Sequence, residues 1–257
     1  MISTVLCGLI WLSVAVIGIR VVTTSGNSTC NNALTKFICK DNSLKSTFDV
    51  TNKETAGVIG IAFLFRVIVF IISAFAIFLV RDGEFSFSQW INSYLQWDAH
   101  NYHRIAQGGY TFHTENGAYT TLAFFPLYPW LIRVVNVFIN NYIISGILLS
   151  GLLYAGACAF MYKLLALDYN KSTAIRAIVY ISVFPHSLFF GVMMNESMLF
   201  ITSVATLYYI RKHNWPMVGI MGALAALSRM AGLLLAIPAA VEWLEHYKIF
   251  EKLRQKK

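Results

Sequence analysis

One polar segment, residues 97–129, carries most of the side chains in this chain that are suited to chemistry. Its sequence, WDAHNYHRIAQGGYTFHTENGAYTTLAFFPLYP, places Asp98, His100, His103 and Arg104 among aromatic residues. A polar segment held between membrane helices lies at a water interface or lines a cavity. Asp98 is predicted to be a general base there, because a carboxylate can accept a proton; the alternative is that it only solvates an interfacial loop.

The histidines of this segment are candidates for a metal site. The spacing of Asp98, His100 and His103 matches neither HExxH nor a closed zinc pattern, so we expect solvated or structural histidines and no resident metal. A serine nucleophile is not predicted either, because the chain contains no GxSxG elbow.

Two further polar features interrupt later apolar stretches: the run Asn195-Glu196-Ser197, and Arg229. Each has a structural explanation. Asn195 is typical of a helix N-cap followed by an acid in the first turn, and Arg229 can snorkel towards an interface. A functional role becomes the better explanation if these residues share one side of the membrane with Asp98.

The composition indicates a membrane protein. The 257 residues are 57% hydrophobic and only 12% charged, with a mean hydropathy of +0.61, whereas soluble domains carry about 25% charged residues. The net charge of +8 comes from short basic segments between apolar stretches. Because this pattern is typical of topology signals, nucleic-acid binding is not predicted. We predict an all-α polytopic membrane protein.

Apolar stretches of suitable length predict membrane spans at Gly57–Val80 and Ile143–Leu165. Arg66 lies inside the first span and is predicted to snorkel towards one interface. The stretch Leu122–Ile139 is predicted to lie in the interface, because two prolines break its first part. Further spans are predicted at Val5–Val22, Ala177–Met194 and Met198–Ile210. Another apolar stretch, Pro216–Ile237, is broken by Ser228-Arg229 and ends at Pro238.

The basic loops predict the orientation of these spans, since cytoplasmic loops are enriched in Lys and Arg. With the loops Lys163–Arg176 and Arg211–His213 in the cytoplasm, Asp98, Glu196 and Arg229 fall together on the outer side. The same count places the lysine-rich linker before the first strong span in the cytoplasm.

The chain divides into two predicted regions. Residues 1–56 form an N-terminal helix with a polar linker, and residues 57–257 form a transmembrane catalytic region. Cys158 is predicted to be a packing residue, and a disulfide between Cys30 and Cys39 is possible only in an extracytoplasmic loop. The absence of a glycine-rich phosphate loop argues against a nucleotide-binding domain.

Several of these motifs occur together in one known family. Trp97-Asp98-Ala99, the AFFPLYP run at 123–129, Asn195-Glu196-Ser197 and Ser228-Arg229 closely resemble the GPI mannosyltransferase 2 (PIG-V) family and its bacterial relatives. The similarity extends over roughly residues 61–247 and includes Phe184-Pro185 and Gly232 in the expected order. Residues 1–55 have no counterpart in that family.

The resemblance implies a GT-C-type transmembrane helical bundle with an outer-face loop and interfacial helices. It implies an inverting transfer of mannose from a polyprenyl- or dolichyl-phosphate donor to a lipid-linked or glycan acceptor. Asp98 is then the catalytic residue, and the outer or luminal face is the site of transfer. The residues assigned to substrate binding are His100, Arg104, Glu196, Arg229, Trp97 and Tyr102.

The same resemblance implies no cofactor beyond the lipid-phosphate sugar, with a divalent metal left open. Its partners are the lipid bilayer, the donor and the acceptor, and no nucleic acid. A multi-pass protein of the bacterial cell membrane is favoured, or of the endoplasmic reticulum membrane in a eukaryote. The resemblance also implies further helices after this N-terminal part. The alternatives are a non-catalytic or truncated membrane subunit and a transporter of lipid-linked substrates.

Overall fold

Nine helices make up most of the part of the chain that the computed structural model describes, residues 47–80, 86–110, 114–115 and 118–248. The predicted span at Val5–Val22, Cys30, Cys39 and the basic C-terminal tail lie outside these residues. The helices are α1 (Asn52–Val80), α2 (Phe87–Asn92), α3 (Asp98–Gly108), α4 (Leu127–Ile139), α5 (Tyr142–Leu165), α6 (Lys171–Val183), α7 (Glu196–Arg211), α8 (Trp215–Ser228) and α9 (Ala236–His246).

Short irregular elements connect the helices. Single 3-10 turns cover Thr120–Ala123, Pro185–Phe190 and Met230–Leu235. A two-residue antiparallel pair, β1 (Thr114–Glu115) with β2 (Ala118–Tyr119), lies between α3 and α4 and was not expected from the sequence. The predicted all-α character otherwise agrees with the described residues.

The first helix begins earlier than the sequence predicted. The Thr51 amide donates to the Glu54 carboxylate at 3.0 Å, and the Glu54 amide donates to the Thr51 hydroxyl at 3.2 Å, which is a capping box. Residues 52–56 therefore belong to α1 and not to a linker. The 29 residues of α1 rise roughly 44 Å, enough to cross about 30 Å of hydrocarbon.

Two helices in the described part of the chain, α1 and α5, are long and apolar enough to cross a membrane. Both agree with predicted spans. α4 and α8 are shorter apolar helices. The 13 residues of α4 rise roughly 20 Å, so this helix alone is too short to cross.

Helix α5 occupies the centre of the fold and packs against α1, α4 and α7. Small residues on α5 let its neighbours approach closely. A Cβ atom on Gly146 would lie 2.4 Å from Cγ of Met193, and one on Gly156 would lie 2.8 Å from Cδ1 of Ile201. Cys158 is fully buried in this helix, as predicted.

The predicted span Ala177–Met194 is not one continuous helix, because α6 ends at Val183. Pro185 has no amide hydrogen, and it holds Phe184 in the extended conformation at φ −62° and ψ 136°. The chain then forms the 3-10 turn and a bend before α7 begins at Glu196.

The prediction that Arg66 snorkels is also wrong. Its side chain is only 5% exposed and points into the protein, towards the end of α6. The guanidinium lies 4.5 Å over the ring of Tyr154. Sequence position alone suggested an interface, but carbonyl groups inside the fold hold this cation.

The apolar stretch Pro216–Ile237 is broken at Ser228-Arg229, as predicted. α8 ends at Ser228, Arg229 is extended at φ −158° and ψ 146°, and the 3-10 turn follows. The prediction that the stretch ends at Pro238 is wrong, because Pro238 lies in the first turn of α9. A proline is tolerated there because the first amides of a helix have no partner within it.

Gly232 allows the turn after Arg229 to fold back on α8. A Cβ atom at this position would lie 2.2 Å from the carbonyl carbon and oxygen of Ala225. Gly232→Ala is therefore expected to destabilise the protein by roughly 1–3 kcal/mol, the usual cost of overpacking. The measurement is thermal unfolding in detergent. Gly222→Ala is the control, because no atom lies within 4 Å of its added Cβ; equal stability of both variants would contradict the expectation.

The basic loops gather at one end of the helices. Lys171 pairs with Glu54 at 2.5 Å, and Arg211 pairs with Asp168 at 2.8 Å. The amide of Phe48 donates to the carbonyl of Ala166 at 3.3 Å. These contacts bring together the start of α1, the α5–α6 loop and the end of α7, which the charge pattern had placed on one side.

Candidate active site

Helix α3 begins with the predicted base. Asp98 is its first residue, a position where the helix dipole favours a carboxylate. Trp97, directly before it, has φ 49° and ψ −125°, a left-handed backbone conformation that is strained for a bulky residue. Such strain is typical of functional sites, and here it lies beside the candidate catalytic carboxylate.

Asp98 and Glu196 line the same open cavity, which has a volume of about 640 Å3. Most of its lining is apolar and aromatic, so the two carboxylates stand out in it. The other lining residues are Trp97, Ile181, Phe184, His186, Phe189, Phe190 and Met194.

Glu196 forms an ion pair with Arg229, the third residue predicted for the site. The Arg229 guanidinium donates from Nη1 to the Glu196 carboxylate at 3.0 Å, which joins the end of α8 to the start of α7. None of the ion pairs among the described residues involves Asp98. The structure thus brings Asp98, Glu196 and Arg229 to one region, with an acid that is paired and an acid that is not.

A buried amide underlies this arrangement. Asn195 was predicted to cap α7, but its side chain makes no capping hydrogen bond. Instead, its Nδ2 donates to the backbone carbonyl of Ser228. The Asn195 side chain is buried and adjoins Glu196, while Ser228 adjoins Arg229. One hydrogen bond therefore fixes the two members of the ion pair relative to each other. Sequence reasoning missed it because the partners are far apart in the chain.

Tyr102 joins α3 to the same amide. Its ring is only 6% exposed and packs edge-on against Phe124 and Tyr128, and its hydroxyl contacts Asn195. Burial raises the pKa of Tyr102, and nearby Glu196 adds to this effect, so the phenol stays neutral. The buried ring cannot stack on a sugar, so the predicted substrate contact of Tyr102 is corrected to a supporting one.

The structure does not bring two other predicted residues to the cavity. His100 and Arg104 are exposed, and neither lines it. Positions two and six residues after Asp98 point to other sides of a helix with 3.6 residues per turn. His103 packs against Tyr142, and burial, with a contribution from His100, lowers its pKa.

Trp97 has the placement expected of a substrate contact. It is 69% exposed, lines the cavity, and its ring lies 5.7 Å from that of Phe189. Within the described residues, no group of three or more His, Cys, Asp or Glu side chains is placed to hold a metal ion.

Arg133, which the sequence only marked as an interruption, stabilises α3 from α4. Its Nε donates to the carbonyl of Ala106 at 2.6 Å, and its Nη2 to that of Ile105 at 3.0 Å. These carbonyls belong to the last turn of α3, where carbonyls lack helical amide partners, although the Gly109 amide also donates to Ile105 at 2.9 Å. Arg133 therefore fixes the C-terminal end of the helix that carries Asp98.

Comparison with known proteins identifies the family. The family model described as dolichyl-phosphate-mannose-protein mannosyltransferase matches residues 124–257, slightly more than half of the chain. The match includes Glu196 and Arg229 and begins after Asp98. No curated protein and no solved structure gives a significant match. The chain therefore belongs to the dolichyl-phosphate-mannose-protein mannosyltransferase family, a family of membrane glycosyltransferases of the mannosyltransferase type.

Proposed function

We propose that this protein transfers mannose from a polyprenyl- or dolichyl-phosphate donor to an acceptor hydroxyl, with Asp98 as the general base. The observation that carries the proposal is the cavity in which an unpaired Asp98 lies near the paired Glu196 and Arg229. Family membership supports the donor class. A cavity whose lining is mostly apolar suits a substrate that carries a lipid chain.

The proposed reaction inverts the configuration at the sugar. The Asp98 carboxylate takes the proton of the acceptor hydroxyl while the new bond to the anomeric carbon forms and the bond to the phosphate oxygen breaks. The lipid phosphate leaves as an anion, so no strong general acid is needed. Arg229 stabilises its charge, and Glu196 orients Arg229. The reaction requires no cofactor beyond the donor.

The acceptor is the finer part of the proposal. The resemblance to the PIG-V family favours a lipid-linked or glycan acceptor, whereas the name of the matched family specifies a protein. We propose the lipid-linked acceptor, on the grounds of the motifs at Trp97–Ala99 and Ala123–Pro129. A role in GPI biosynthesis would follow from the family resemblance alone.

The decisive experiment is a transfer assay. Membranes that contain this chain are incubated with radiolabelled polyprenyl-phosphate-mannose and, in parallel, with lipid-linked glycans or with serine- and threonine-containing peptides. Label in the lipid fraction supports the proposal, and label in peptides supports a protein acceptor. Donor consumed without transfer, or moved across the membrane, would favour the transporter alternative.

We also propose a multi-pass topology with the cavity on the outer or luminal face. A cysteine placed at Gln107 is expected to react with an impermeant maleimide from outside, and one at Asn170 only after permeabilisation. The motivation is the gathering of basic groups around Asp168 and Lys171, at the end of α5 remote from α3. Cys7, Cys30 and Cys39 are first changed to serine, and the buried Cys158 is kept. Labelling of both positions from the same side would contradict this topology.

A further inference from the structure

Arg66 is a buried cation in the middle of an apolar helix. It lies well inside α1, and its side chain is 5% exposed. None of the ion pairs among the described residues includes it. A charge inside a membrane helix is costly, so an apolar residue would be favoured at this position unless the cation has a structural or functional role.

The hydrogen-bond partners of Arg66 indicate its role, and they are two carbonyl groups and a hydroxyl group. Nη2 donates to the carbonyl of Ser182 at 2.8 Å and to the hydroxyl of Ser187 at 3.3 Å, and Nη1 donates to the carbonyl of Ser187. The Ser187 hydroxyl in turn donates to the carbonyl of Ser182 at 2.8 Å. The guanidinium thus joins the last turn of α6 to the 3-10 turn that follows it.

The Ser182 carbonyl needs donors because α6 ends at Val183, just before Pro185. This break leaves the last carbonyls of α6 without their usual amide partners, and an unpaired carbonyl in an apolar interior is costly. The planar guanidinium offers several donors in a fixed fork, which suits two carbonyls from different turns.

The segment held in this way forms one wall of the candidate active site. Phe184, His186, Phe189 and Phe190 from this segment line the cavity together with Asp98 and Glu196. Tyr154 links the cation to the wall as well. Its ring lies 4.5 Å from the Arg66 guanidinium carbon and stacks on Phe190 at 5.1 Å.

We propose that Arg66 is a positioning residue that fixes this aromatic wall from inside α1 and thereby sets the affinity for the donor. The inference rests on the proposed function, since the donor is the ligand whose binding it controls. Asp98, Glu196 and Arg229 are held by separate contacts through Tyr102 and Asn195. Loss of Arg66 therefore loosens the wall and leaves the reacting groups in place.

The kinetic test compares Arg66→Met with Arg211→Met. Both substitutions replace a charged guanidinium side chain by a shorter, uncharged thioether, but Arg211 pairs with Asp168 at the other end of the protein. Arg66→Met is expected to raise the donor KM roughly tenfold, within the cost of misplacing a binding group, and to change kcat by less than about threefold. Arg211→Met is expected to change neither constant.

A second measurement does not depend on activity. In the background lacking Cys7, Cys30 and Cys39, a cysteine at position 189, which is half-buried in the wall, is labelled with an impermeant maleimide. Labelling is expected to be several-fold faster in Arg66→Met than in its parent, because the wall that carries position 189 is no longer fixed. If Arg66→Met does not insert into membranes, Arg66→Lys and Ser187→Ala, which weaken the same hydrogen bonds, are expected to change KM and labelling in the same direction.

An unchanged donor KM together with an unchanged labelling rate would overturn this inference. So would a fall in kcat alone, because it would place the effect on the reacting groups. If the parent protein transfers no mannose, the proposed function fails, and the labelling rates still decide whether Arg66 fixes the wall.

Discussion

Replacement of Asp98 by asparagine is expected to lower mannose transfer by about 10²–10⁴-fold, the contribution of general base catalysis. Asparagine has the same size as aspartate and still forms hydrogen bonds, but it does not take the proton of an acceptor hydroxyl. Donor binding is expected to change little, because the proposed ligand of the phosphate is Arg229 and not Asp98.

The structure sharpens the choice of Asp98 over Glu196. Both carboxylates line the cavity, but the Glu196 carboxylate accepts a hydrogen bond from Arg229 at 3.0 Å. The Glu196 carboxylate is thus engaged by Arg229, whereas none of the ion pairs among the described residues involves Asp98. Asp98→Glu is expected to restore little activity, because one extra methylene displaces the carboxylate from the acceptor hydroxyl.

The measurement is turnover at saturating donor, with donor affinity determined in the same membranes. Asp168→Asn is the matched control, since it makes the same chemical change in an exposed ion pair at the opposite end of the protein. Exposed pairs of this kind contribute about 0–1 kcal/mol, so the control protein is expected to fold and to retain activity. Normal turnover in Asp98→Asn would eliminate Asp98 as the base and direct attention to Glu196.

Hydrophobic length and basic-loop position were sufficient to predict several large features. α1 and α5 lie where long apolar stretches predicted them, and the loops around Lys171 and Arg211 lie at one end. These features depend on the sequence of each segment alone. The same is true of the helix break near Arg229, where the apolar pattern is interrupted.

Features that depend on contacts between distant segments could not be predicted. The carbonyl groups released at Pro185 are the partners of Arg66, but the sequence does not indicate which cation reaches them. Asn195 has the composition of an N-cap, yet its amide serves Ser228 on another helix. The burial of Tyr102 likewise follows from packing against Tyr128 and Phe124. Local propensity was overridden by tertiary packing in each case.

Arg229→Lys is expected to weaken donor binding even though the substitution keeps the positive charge. The guanidinium uses Nη1 to bind Glu196, and its planar fork has further donors for a phosphate oxygen. A lysine ammonium is a compact point charge and cannot reproduce both interactions in one fixed geometry. Hydrogen bonds to charged groups contribute about 1.5–3 kcal/mol, so the donor KM is expected to rise roughly ten- to hundredfold.

Glu196→Gln tests whether the orientation of Arg229 matters. The amide keeps a weaker hydrogen bond but loses the charge, so donor KM is expected to rise by a smaller factor. Because both residues act as one unit, the double variant is expected to show less than the product of the single effects. A strictly multiplicative result would indicate that Glu196 does not act through Arg229.

Arg211→Lys provides the matched comparison for the lysine substitution. Arg211 donates to both oxygens of Asp168, at 2.8 Å and 2.9 Å. Arg211→Lys therefore also removes a guanidinium fork from an ion pair, but far from the cavity. Its donor kinetics are expected to equal those of the parent protein. If Arg229→Lys also shows parental KM and kcat, then Arg229 does not bind the phosphate, and its pairing with Glu196 serves only to fix the end of α8 against the start of α7.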